Sequence, residues 1–223
     1  ALCYGAPLMP NGIAQGMKNV GDRLIVGALL GPATLGLYSV TAMIGIMPRG
    51  IILRYLSTVF MPRFVNTGTG LQAAPLTAAF AILLGALSTL LGLGLWSLGK
   101  PVVGLMFGAA YEPSQSLIGA VAIMVVLKLL FATVSLPAIA FGATSLILYG
   151  SAGSITGITL GAVCLWLRPD LVLFVYAVAF CDAAALIAAL MVGGGGLGLR
   201  ARPVLIATLG PIAILFGLVL FTS

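Results

Sequence analysis

The sequence contains no histidine and little charge of either sign. Only 6% of its 223 residues are Asp, Glu, Lys or Arg, and the acids number four. A soluble domain carries about 25% charged residues, so this chain cannot clothe a water-facing surface. Three cysteines, Cys3, Cys164 and Cys181, sit in or beside apolar runs, which excludes a disulfide framework and any spacing suited to a metal. The absence of histidine removes the commonest general base and metal ligand. No basic n-region with a cleavage site opens the chain; the start, "ALCYGAPLMP", reads as the interior of something longer.

Apolar residues make up 61% of the chain, and the mean hydropathy is +1.25. The runs are continuous, without the alternation of a membrane barrel. Lipid leaves helices as the other way to satisfy every backbone group. The expected fold class is therefore all-α, a polytopic transmembrane bundle of about seven helices. The net charge of +6 is scattered, with no basic tail, so no nucleic-acid partner is expected. Membrane lipids are the expected surroundings.

Spans of about 20 apolar residues are expected at 73–98, 114–140, 144–167, 170–192 and 203–221. Lys100-Pro101, "GAAYEPSQS", "FGATS" at 141–145, "RPD" at 168–170 and "GGGGLGLRAR" at 193–202 separate them. The first 62 residues allow two parses. Hydropathy favours one span at 24–47. A hairpin of helices 10–30 and 32–62, turning at Gly31-Pro32, places five charged residues in the membrane instead. Asn11, Gln15, Lys18 and Asp22 recur at i, i+4, i+7 and i+11, the stripe of one helix face. Such a stripe belongs to a cavity-facing membrane helix, or to an interfacial amphipathic segment. Lys18 and Asp22, four apart, can pair.

The segments "PLMPNG", "DRLIVGALLG" followed by "LGLYSV", and "FMPRF" resemble the start of the second half of bacterial polysaccharide exporters. These are the O-antigen-type flippases of the multidrug/oligosaccharidyl-lipid/polysaccharide exporter superfamily. "GLMFGAAYEPS" resembles that family's loop between its ninth and tenth helices. The resemblance covers residues 5 to about 140, and beyond that only the helix spacing fits. It implies the hairpin parse, with residues 1–192 as the second six-helix bundle and 193–223 as a Gly-rich loop and additional helix. It further implies transport of an undecaprenyl-diphosphate-linked oligosaccharide across the bacterial inner membrane, with no enzymatic step and no cofactor. A second six-helix bundle is the implied partner, whether a missing half, a second copy or a separate chain. Without it, the chain is expected not to transport.

On this parse Lys18, Asp22, Arg23, Arg49, Lys128 and Asp182 lie near helix centres, each costing about 2.5–3.5 kcal/mol unless it faces water or a partner. With Arg54, five cations stand against two carboxylates. A cationic cavity suits a diphosphate, which Arg can grip bidentately. Arg49 is the foremost candidate and Arg23 the next, with Arg54, Lys128, Lys18, Asp182, Asp22, Asn11 and Gln15 completing the lining. The alternative is that these charges pair among helices and hold the bundle. Asp182 is placed to neutralise Lys128 or an Arg. Arg49 and Arg54 lie about 140° apart around a helix, so both cannot face one atom, and Arg54 can snorkel to the interface. Pro48 and Pro137 are expected to kink their helices.

Competing functions remain distinguishable. A drug or metabolite antiporter of the same superfamily would want an acidic cavity for cationic drugs. A polyprenyl-phosphate-handling enzyme would want clustered acids for Mg²⁺, and Asp22, Glu112, Asp170 and Asp182 form no cluster in sequence. A non-transporting assembly subunit would not bind polyprenyl diphosphates. Arg63, Arg200 and Arg202 fall on one side of the seven-helix arrangement and Lys100 and Arg168 on the other, so the first side is expected to be cytoplasmic.

Overall fold

A computed structural model describes residues 8–67, 73–143, 145–193 and 202–222, with the side chains of 8–19, 109, 202, 203, 205, 216 and 218–222 outside that description. Those residues are helical apart from short turns. The elements are α1 (Leu8–Thr67), α2 (Ala74–Phe107), a 3₁₀ turn (Ala109–Tyr111), α3 (Gln115–Leu130), α4 (Ala132–Ala140), α5 (Ser145–Leu167), α6 (Leu171–Gly193) and α7 (Arg202–Thr222). Five helices are long and apolar enough to cross a membrane, with α1 counted once; the stretch 206–215 in α7 is apolar but shorter.

α1 settles the question of the first 62 residues. Its backbone leaves helical geometry at Gly31 (φ 86°, ψ 172°), next to Pro32. A side chain cannot readily adopt that φ, and Pro32 supplies no N–H to continue the ladder. The chain folds back there. The Tyr38 hydroxyl donates to Asp22 Oδ2 at 2.8 Å, although sixteen residues of straight helix would separate them by about 24 Å. Leu35 lies 3.0 Å from where a Cβ on Gly27 would be. Residues 8–30 and 32–67 are thus two antiparallel arms, giving seven helical segments when α3 and α4 are taken as one interrupted span.

Three prolines bear on the expected helices. α2 does not stop at Lys100-Pro101 but continues to Phe107. Proline removes only one donor from the ladder, and packing outweighs that loss. The helix ends at Gly108 (φ 89°), whose N–H bonds the Gly104 carbonyl. Lys100 then reaches Glu112 across the turn at 3.9 Å. Second, Pro48 lies inside its arm with the backbone still in helical φ and ψ, Gly31 being the residue of α1 that leaves them. Third, the 115–140 span does break, but at Phe131, ahead of Pro137. The proline ring crowds the carbonyl of Thr133, adjacent to that break. The turns at 141–143 and 168–170 fall where expected, with the Asp170 carboxylate capping α6 through the Val172 N–H at 2.9 Å. The Gly-rich stretch from 194 to 201 lies outside the described residues.

α3 is the axis of the bundle. Nearly all of Leu117–Leu130 is buried, as befits a helix apolar all round. It packs against α1, α2, α6 and α7. α7 lies on α2 and α3, with the Ala207 carbonyl against Gly85 and Leu215 against Gly92. A second cluster, Phe60, Phe64 and Phe80 with Phe141, ties the end of α1 to α2 and the α4–α5 turn.

Candidate functional site: a buried charge cluster

Three helices carry one charged residue each to a common point. On the second arm of α1, Tyr38, Ala42 and Gly45 are buried. Their spacing of i, i+4 and i+7 makes a stripe, and Gly45 lets Val125 of α3 approach the backbone. Arg49 is the next residue of that stripe. Lys128 is the only charged residue of α3. Asp182 lies in the buried stripe of α6 formed by Phe174, Val178, Ala185 and Ala189. Counted from the helix ends, Asp182 sits near the middle of its span, and Lys128 about 20 Å from the start of its own.

The α5–α6 contact is what makes the cluster possible. Gly153, Gly157 and Gly161 recur every four residues on α5, facing Ala185, Val178 and Phe174 of α6. Small residues at this spacing let membrane helices approach closely. Ser154 rides beside that seam, and its hydroxyl donates to Asp182 Oδ1 at 2.6 Å. The other oxygen, Oδ2, lies 3.9 Å from Lys128 Nζ, an ion pair too long to be a hydrogen bond, and accepts none. The two side chains are 14% and 8% exposed. Arg49 Nε is buried and also has no hydrogen-bond partner.

Arg49, Lys128 and Asp182 border one cavity of about 120 Å³, together with Ser135, Ser151 and the ring of Phe131. Phe131 lies against Gly150, 2.5 Å from where a Cβ would be, so a side chain at 150 would displace the ring. Two cations against one carboxylate leave the wall with a charge of +1. This is smaller than the five-against-two balance of the whole set, because Asp22, Arg23 and Arg54 do not border this cavity. Arg23 is exposed, while Asp22 is half-buried and accepts from Tyr38 and from the Arg23 N–H at 2.8 Å each. Arg54 is exposed and borders a separate open groove of about 620 Å³ along residues 46–59, with Tyr55 and Thr58. The divergence of Arg49 and Arg54 follows from their angular spacing. Asn11, Gln15 and Lys18 belong to the first arm, but their side chains lie outside the described residues, and so does the expected Lys18–Asp22 pair.

The residues that sequence reasoning missed are Tyr38, Ser135, Ser151 and Ser154. Tyr38 stands eleven residues before Arg49 and therefore on its face, a signal that was available. It is 1% exposed and meets Phe174 of α6 edge-on, with centroids 6.2 Å apart. Asp22 is thereby fastened to the wall that carries the cluster. Replacing Tyr38 by Phe should cost about 1–3 kcal/mol by leaving the Asp22 oxygen short of a donor, measurable as a lowered melting point in detergent. A change within a few tenths of a kcal/mol would show that water replaces the hydroxyl.

Residues 1–116 match the family model described as "Polysaccharide biosynthesis protein". The chain belongs to that family. No curated protein and no solved structure matches it. With its apolar helices, membership makes it a multi-pass membrane protein of polysaccharide synthesis or export. The matched segment covers both arms of α1, α2 and the turn after it. It includes Arg49 and ends before Lys128 and Asp182.

Proposed function

We propose that this family member forms part of a flippase that carries an undecaprenyl-diphosphate-linked oligosaccharide across the bacterial inner membrane. In this reading Arg49 and Lys128 engage the diphosphate. The observation that carries it is the buried Arg49 Nε without a partner, on a side chain that borders one cavity with Lys128. A buried donor is costly when unsatisfied, and a guanidinium is suited to phosphate oxygens. The cavity takes a phosphate-sized group; sugar and lipid chain lie outside it. Its net positive charge favours an anionic cargo over the cationic drugs of an antiporter. The protein moves its cargo without covalent chemistry.

A second helical bundle completes the path. Arg23 and Arg54 are exposed, and Met43, Met47, Ile51 and Tyr55 form an exposed row on the second arm of α1. Cations facing lipid at such positions are unfavourable by several kcal/mol, which a facing bundle with a wet interface relieves.

The test compares a polyprenyl diphosphate with the corresponding polyprenol for binding to the purified protein in detergent. The diphosphate should bind more tightly by about tenfold or more, and Arg49→Ala should erase the difference. Equal affinity for both lipids would refute the reading and favour a non-transporting assembly subunit.

A further inference from the structure

The geometry points to Asp182 as a built-in counter-anion, which holds Lys128 in the empty site and yields it to the arriving phosphate, so that it limits affinity and permits release. This rests on the reading that the cavity receives a phosphate.

The two oxygens of the carboxylate are treated differently. Oδ1 is fixed by the short Ser154 bond, so the group cannot swing away. Oδ2 faces Lys128 at 3.9 Å and accepts no hydrogen bond. The ion pair is therefore electrostatic contact without close coordination. Arg49 borders the same cavity as Asp182 and Lys128. One carboxylate thus shares the cavity wall with two cations, and its Oδ2 is hydrogen-bonded to neither.

Lysine is suited to changing partners. Its ammonium is a point charge on a flexible stem, with no fixed fork to align. A phosphate entering the cavity meets Arg49, whose Nε has no hydrogen-bond partner, and draws Lys128 from Oδ2. Asp182, anchored by Ser154, stays behind as a like charge beside the ligand. That repulsion opposes tight binding, which a carrier must avoid if it is to let go. A carboxylate serving only to hold helices together would have the opposite effect when neutralised, since loosening the wall would spoil the site.

The experiment titrates inorganic pyrophosphate into the intact protein in detergent by calorimetry, with dissociation followed separately. Asp182→Asn keeps the shape and an acceptor for Ser154 while removing the charge. It should tighten pyrophosphate binding by about tenfold or more, with the gain appearing as slower dissociation. Asp182→Ser, a second neutral side chain, is measured alongside, so that a folding defect peculiar to one variant does not decide the result. Binding lost in Arg49→Ala but unchanged or weakened in both Asp182 variants would overturn the counter-anion role and leave the phosphate site standing. No binding to the native protein or to either variant would overturn both.

Discussion

Lys128→Met is expected to destabilise the protein by about 3–5 kcal/mol. The single variant leaves Asp182, itself buried, with the Ser154 hydroxyl but without its ion-pair partner. α3 is the most buried helix, so water cannot readily enter to solvate the orphan. Stability here is the free energy of unfolding by SDS titration in mixed micelles. Adding Asp182→Leu should recover most of the loss, because a buried pair replaced by apolar side chains of similar size is close to neutral. Ser154 then lacks its acceptor, which keeps recovery incomplete by about 1 kcal/mol. A single-variant cost below about 1 kcal/mol would mean that the pair is hydrated and that the cluster is not desolvated.

Arg49→Ala should behave in the opposite sense. Its Nε is already buried without a partner, so removing the side chain deletes an unsatisfied group and should leave stability unchanged or slightly higher. Export of polysaccharide by the intact protein in cells should nevertheless fall by about 100-fold, the value of losing two charge-assisted bonds to phosphate. Arg49→Lys should recover part of the activity, since it keeps the charge and loses the planar fork. Stability and function separate at residues held for a ligand and not for the fold. Export at native levels in the Ala variant, with membrane abundance unchanged, would remove Arg49 from the cargo path.

How far the sequence carried the structure can be seen residue by residue. The hairpin at Gly31-Pro32 was hidden from hydropathy, because a window average treats Asp22, Arg23 and Arg49 as flanks of one span. The polar stripe on the first arm and the family resemblance pointed to it, and the Tyr38–Asp22 bond shows it. Asp182 could be proposed as the partner of Lys128 because charges at helix centres are few. Their meeting depends on the glycine seam between α5 and α6 and on the central place of α3, which are tertiary facts. Arg49 and Arg54 looked equivalent in composition, but angular spacing separated them. Arg23, beside Asp22, is exposed and does not border the cavity. Ser154 was not legible at all, since a serine among membrane glycines looks like packing until its acceptor is known. Pro101 misled because proline weakens a membrane helix less than neighbouring packing can compensate.

The most direct test of the charge cluster as a cargo site is photocrosslinking. A polyprenyl diphosphate carrying a photoreactive group next to the diphosphate is incorporated into membranes containing the intact protein, and the labelled peptides are mapped by mass spectrometry. The account predicts labelling within residues 127–135 and 147–151, which border the cavity with Arg49, and its loss when excess unlabelled polyprenyl diphosphate competes. Labelling confined to the open groove at residues 46–59, or to the turns between helices, with none at the cavity wall, would contradict it.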